Sequence, residues 1–165
     1  MKFSEMNYTR PDMAKMESDF NNLLAQFNAA PNAEEQKQIL SKINELKNEF
    51  STYSSIASVR NSIDTTNKFY EAEQEFFDTN EPAIKDLHIK FYKALGSSKF
   101  KNELQKDFGN QLFNLADVSL KTFDTSIIED LKEENKLGTQ YTKLVASAEV
   151  DFNGEKLNLS GLSAF

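Results

Sequence analysis

The chain has 165 residues, a net charge of −7 from 19 basic and 26 acidic side chains, a single histidine and no cysteine. Cysteine nucleophiles, redox pairs, disulfides and Cys-ligated metal sites are excluded, and a helical H-E-x-x-H zinc site, which needs two histidines one turn apart, cannot be assembled. The negative balance repels phosphate backbones and anionic headgroups, so neither nucleic acid nor a membrane surface is an expected partner, and a cysteine-free chain is expected in the cytoplasm.

Only five Gly and three Pro occur beside 14 Phe, a composition of long helices with few connections. Pro11 marks the start of a first helix, followed at three- and four-residue spacing by Met13, Met16, Phe20, Leu23, Leu24 and Phe27, and ending near Pro31. Asn32 with Glu35 three residues on predicts the N-cap of a second helix. Its stripe of Ile39, Ile43, Leu46, Phe50 and Tyr53 has heptad spacing, which fits one helix of an intramolecular bundle or, in the rival reading, a dimer seam. Residues 61–67 are dense in side chains that bond their own backbone, which predicts a kink or restart before Phe69, Tyr70, Phe76 and Phe77.

A further helix is predicted to begin at Pro82 and end at Gly96, with Ile84, Leu87, Phe91 and Leu95 as its stripe. Ser97 or Ser98 caps the next, over Phe100, Leu104, Phe108, Leu112 and Leu115, weakened at Gly109. Ser126 and Glu129 have the spacing of a capping box, opening a last helix that runs towards Ala148. Asn153-Gly154 then signals a hairpin. A two-residue turn there pairs Phe152 with Glu155, Asp151 with Lys156, Val150 with Leu157, Glu149 with Asn158 and Ala148 with Leu159. The expected fold is therefore mostly α, an antiparallel bundle of about five helices with a C-terminal β-hairpin. Residues 1–147 form its helical part and 148–165 the hairpin and end, together one incomplete domain. The one-sided apolar face of the hairpin predicts self-association of the isolated chain.

Few residues offer chemistry. His88 lies on or beside the buried stripe and reads as structural. Glu71 with Glu75, and Glu129 with Glu133, stand one turn apart as a chelating pair would, but in helices such carboxylates usually form a solvated face. Arg60 and Asp64 are spaced to pair along a helix and read as a tie between helices. The residues alone indicate no catalytic, cofactor-binding or metal-binding residue, and leave open a free-standing helical interaction module that associates through the 39–53 stripe.

Two longer runs carry a resemblance. They are ASVRNSIDTTNKFY at 57–70, followed by Glu73, and EENKLGTQYTKLVAS at 133–147. With YTRPD at 8–12, FYKAL at 91–95, LKTF at 120–123 and the closing hairpin, they resemble, in the same order, the N-terminal region of oligoendopeptidase F and its relatives, zinc metallopeptidases of the thimet oligopeptidase family. The resemblance implies a mostly helical enzyme with a deep cleft that admits short peptides. Its zinc is held by H-E-x-x-H and a more distant glutamate, all beyond Phe165, so this chain has no cofactor of its own. The implied role is an N-terminal lobe segment that covers the cleft and limits access, with the remainder of the peptidase as its partner. Arg60, Asp64, Tyr70, Asn135 and Tyr141 are the family-pattern residues, in structural roles.

Overall fold

The computed structural model describes residues 6–163. Six α-helices and one hairpin occur among them: α1 (Met13–Ala29), α2 (Ala33–Ile63), α3 (Lys68–Gly96), α4 (Lys101–Thr122), α5 (Ile128–Ala146), β1 (Val150–Phe152), β2 (Glu155–Leu157) and the single-turn α6 (Leu159–Leu162). α3 is the central element, in contact with α1, α2, α4 and α5.

Local chemistry sets most boundaries. α1 is capped by Asp12, whose carboxylate accepts from Lys15 N at 3.0 Å. Pro11, expected to open that helix, therefore lies two residues before its first residue, and is buried. Asn32 caps α2 as its sequence signature predicts, accepting from Glu35 N at 2.9 Å and donating its amide to the Glu35 carboxylate at 3.0 Å. α2 ends at Ile63, and the chain restarts at Asn67, whose side chain accepts from the N–H groups of Phe69 and Tyr70.

The heptad stripe of α2 faces inward. Ile39, Ile43 and Phe50 are buried, and Leu46 and Tyr53 pack partly buried against the same core. That core joins Phe20 and Phe27 of α1, Leu40 of α2, Phe77, Phe91 and Leu95 of α3, and Leu104 and Phe113 of α4. Edge-to-face ring pairs stitch it, Phe27 with Phe91 at 5.3 Å and Phe50 with Phe77 at 5.2 Å. Gln36, also buried, ties three helix ends together: its amide donates to Phe27 O at 2.9 Å, a carbonyl in the last turn of α1, and its oxygen accepts from Ser98 Oγ at 2.6 Å.

Four expectations need correction. No helix begins at Pro82, because α3 runs through it without a break. A proline has no N–H to give to the carbonyl four residues back, here that of Asp78. That carbonyl instead accepts from Asn135 Nδ2 of α5 at 3.1 Å, so a partner 57 positions away removes much of the cost of an internal proline. Secondly, the Ser126–Glu129 capping box does not form. Asp124 caps a 3₁₀ turn at Thr125–Ile127 by accepting from Ser126 N at 2.9 Å, which delays α5 to Ile128. Thirdly, Gly109 does more than weaken α4: at φ 76°, ψ 172° it breaks the helical path, a conformation for which only glycine is suited. Fourthly, hairpin pairing stops at Val150 with Leu157. Asn158 does not pair with Glu149 but caps α6 through Gly161 N at 2.7 Å, which takes Leu159 out of the strand. Asn153, at φ 52°, and Gly154, at φ 85°, form the expected turn.

Candidate functional site

The strongest polar constellation clamps the segment before α1 onto α3. Glu73 is 5% exposed and its carboxylate binds Arg10 through two donors, Nε at 3.0 Å and Nη2 at 2.6 Å, while also accepting from the Tyr8 hydroxyl. Burial alone would raise the Glu73 pKa, but the hydrogen bonds from Arg10 and Tyr8 and the guanidinium charge outweigh it and hold the group below the ordinary carboxylate value. The Tyr8 hydroxyl is pushed well up by burial and by the adjacent carboxylate, which keeps it a neutral donor. The Arg10 guanidinium lies 4.8 Å from the Phe76 ring centre, and that of Arg60 lies 5.5 Å from the Tyr8 ring centre.

Arg60 and Asp64 do not pair with each other. Arg60 Nη2 donates to Met6 O at 2.9 Å, tying α2 to the N-terminal segment, and Asp64 accepts from Thr66 N and Oγ1 in the α2–α3 turn. Tyr70 sits half-buried at the start of α3, its ring centre 6.0 Å from that of Phe69. Asn135 belongs to a polar seam that holds α5 on α3. Beside its bond to Asp78 O, Thr139 Oγ1 donates to the buried Asp78 carboxylate at 2.7 Å, and Lys143 pairs with Glu71 one turn further along. Tyr141 is 69% exposed and points away from that seam.

The acidic pairs separate by role. Glu71 is held by Lys143 and Lys68, whose hydrogen bonds and charges bring it down to about 2. Glu129 pairs with Lys132 at 2.8 Å. Among the described residues no three His, Asp or Glu side chains are grouped as a metal would need. His88 packs against Phe20 with ring centres 5.5 Å apart, and burial, then the charge of Lys47, bring it down to about 4. One imidazole beside an ammonium and carboxylates engaged by lysine or arginine do not fit a zinc centre, whose ligands must converge as free electron-pair donors.

In the sequence, Glu73 and Asp78 lie in one acidic stretch with Glu71 and Glu75. The fold instead buries the first two against partners 57 to 65 positions away, with no local signal beyond their place near the aromatic face of Phe76 and Phe77. Large apolar side chains also remain open on the molecule. Along α5, Leu137 is 54%, Tyr141 69% and Leu144 69% exposed, and no residue of that helix is buried. No helix among the described residues is long and apolar enough to cross a membrane.

Comparison with known proteins matches this architecture to one family. The Peptidase M3 N-terminal domain family matches residues 3–123. A solved structure of PZ peptidase A with an inhibitor is similar over 99% of this chain, at 48% identity and a TM-score of 0.96. A structure named as an oligoendopeptidase F is similar over 100% of the chain at 45% identity and a TM-score of 0.97. Another of that name, from Bacillus anthracis str. Ames, is similar over 100% at 43% identity and a TM-score of 0.96. The chain spans 29–30% of the length of these structures. Comparison with curated proteins gives no match. On the family match, and on a fold shared from the first helix to the hairpin, this chain belongs to the Peptidase M3 N-terminal domain family.

Proposed function

We propose that the chain serves as the non-catalytic N-terminal lobe segment of an oligoendopeptidase F-type zinc metallopeptidase. In that role it covers the substrate cleft, limits access to short peptides and works in the cytoplasm. The single observation that carries this reading is the overlay of the whole chain on 29–30% of longer peptidase chains at 43–48% identity. Residues 1–147 then supply the helical wall of the lobe and 148–165 its hairpin-bearing continuation. The zinc, its histidine ligands and the peptide-cutting chemistry belong to the rest of the peptidase, which is the chain's partner.

The donor chemistry agrees with this division. Every strongly placed carboxylate in the seam and clamp already holds a lysine, arginine, hydroxyl or amide of the same chain. Arg60, Asp64, Tyr70 and Asn135 act here as fasteners of the N-terminal segment, the α2–α3 turn and α5, and Tyr141 as part of the outward face of α5. The 39–53 stripe, on which a free-standing interaction module would depend, is taken up by the core. Purified as 165 residues, the chain is expected to show no chelator-sensitive cleavage of oligopeptides and no stoichiometric zinc by elemental analysis. Cleavage that a chelator abolishes, retained through purification to homogeneity, would overturn the proposal.

A further inference from the structure

We infer that the outer face of α5 is the ledge on which the body of the peptidase docks, an inference that rests on the reading of the chain as a segment of such an enzyme. α5 is amphipathic the wrong way round for a helix completed by its own fold. Its inner face meets α3 largely through polar groups, Asn135 and Thr139 on Asp78 and Lys143 on Glu71, with Ile128 and Leu131 half-buried at its first turn. Its outer face bears Leu137, Tyr141 and Leu144, spaced four and three apart and therefore aligned. Upstream on the same line, at the same spacing, are the exposed Glu134 and Asp130. A stripe that begins acidic and ends apolar suits a partner surface that is basic opposite the first turns of α5 and apolar opposite the last.

The place of α5 in the chain names the occupant. The family match, to an N-terminal domain, ends at residue 123, before α5 begins, whereas the solved peptidases follow the chain through α5 and the hairpin, and the chain is only 29–30% of their length. α5 thus lies on the stretch that leads from the N-terminal domain into the peptidase body. A helix held inward by hydrogen bonds and apolar outward is suited to join the two, because the inner bonds fix its orientation and the outer burial supplies the association.

The absence of cysteine allows a direct test, since Leu144→Cys or Leu137→Cys places one thiol in the segment. Labelling by a maleimide is followed in the 165-residue chain and in the full-length peptidase that carries it, with the unsubstituted full-length enzyme as background. The expected result is rapid labelling in the 165-residue chain and labelling slowed on the order of tenfold or more in the full-length enzyme. Equal rates in the two, with the full-length enzyme cutting short peptides normally, would overturn the ledge and leave the peptidase reading standing. Loss of labelling in the 165-residue chain as its concentration rises would make a second copy the occupant and overturn it as well. A full-length protein with no peptidase activity would remove the reading beneath it.

Discussion

His88 is the only imidazole in the chain, and its surroundings make it a reporter of acid stress rather than a catalyst. Packed on Phe20 and facing Lys47, it is harder to protonate in the folded chain than in the unfolded one, with its pKa brought down from 6.5 to about 4. Between those values the unfolded chain binds more protons, so the contribution of His88 to stability is complete above pH 6.5 and is lost as pH falls towards 4. The loss amounts to at most ~3 kcal/mol at the acid end. Urea midpoints measured across that range should fall with pH in the native sequence and fall less in His88→Gln. Parallel curves for the two proteins would show that burial of this ring does not govern the acid response. Carboxylates such as Glu71 and Glu73, held below their ordinary values by lysine and arginine, add a second loss that begins lower, below about pH 4.5.

At the scale of elements, Pro82 and Asn135 form one device. The proline withholds an N–H from Asp78 O, and Asn135 of α5 supplies it, so an interruption in one helix becomes the attachment point of another. Asn135→Ala should destabilise by about 1–3 kcal/mol, because a carbonyl is left without a partner at the α3–α5 seam. In a Pro82→Ala background the same substitution should cost much less, since Ala at 82 donates within the helix. A double-mutant cycle from urea unfolding measures that coupling, and additive effects would contradict the device. This pairing also marks the limit of what sequence alone conveys. The Asn32 cap, the α2 heptad stripe and the Asn153-Gly154 turn were legible because each is complete within a few residues. Pro82 inside a helix was not, because the Asp78 carbonyl it leaves open is satisfied from 57 positions away, and neither was the Glu73 clamp, whose donors are 63 and 65 positions away. The capping box at Ser126 failed for a local reason: the aspartate two residues earlier accepts from Ser126 N, the N–H that the Glu129 carboxylate would otherwise reach back to.

At the scale of the molecule, α1 to α4 share one buried core and α5 is held on α3 by a polar seam, while apolar side chains stay exposed on α2, α3 and α4, as at Ile63, Phe69, Leu115 and Val118, as well as on α5 and the hairpin. The apolar face of the hairpin is partly covered and partly open. Leu157 is half-buried, α6 rests on β2, and Val150 and Phe152 are each 37% exposed. The family was legible in sequence, through runs such as 57–70 and 133–147, but neither the Glu73 clamp nor the two faces of α5 were, because the polar partners that define them lie on distant elements. The whole chain overlays 29–30% of the length of longer peptidase structures.

If the chain contributes structure and access control to a peptidase whose chemistry lies elsewhere, it should supply both to an enzyme that lacks it. The most direct measurement mixes the purified chain with the separately expressed remainder of the peptidase, and follows both assembly by light scattering and hydrolysis of a short peptide and of a folded protein. The account predicts a one-to-one complex that cleaves the peptide and spares the folded protein, while the 165-residue chain alone cleaves neither. Absence of a complex, together with peptide and protein cleavage by the remainder that the chain leaves unchanged, would contradict it.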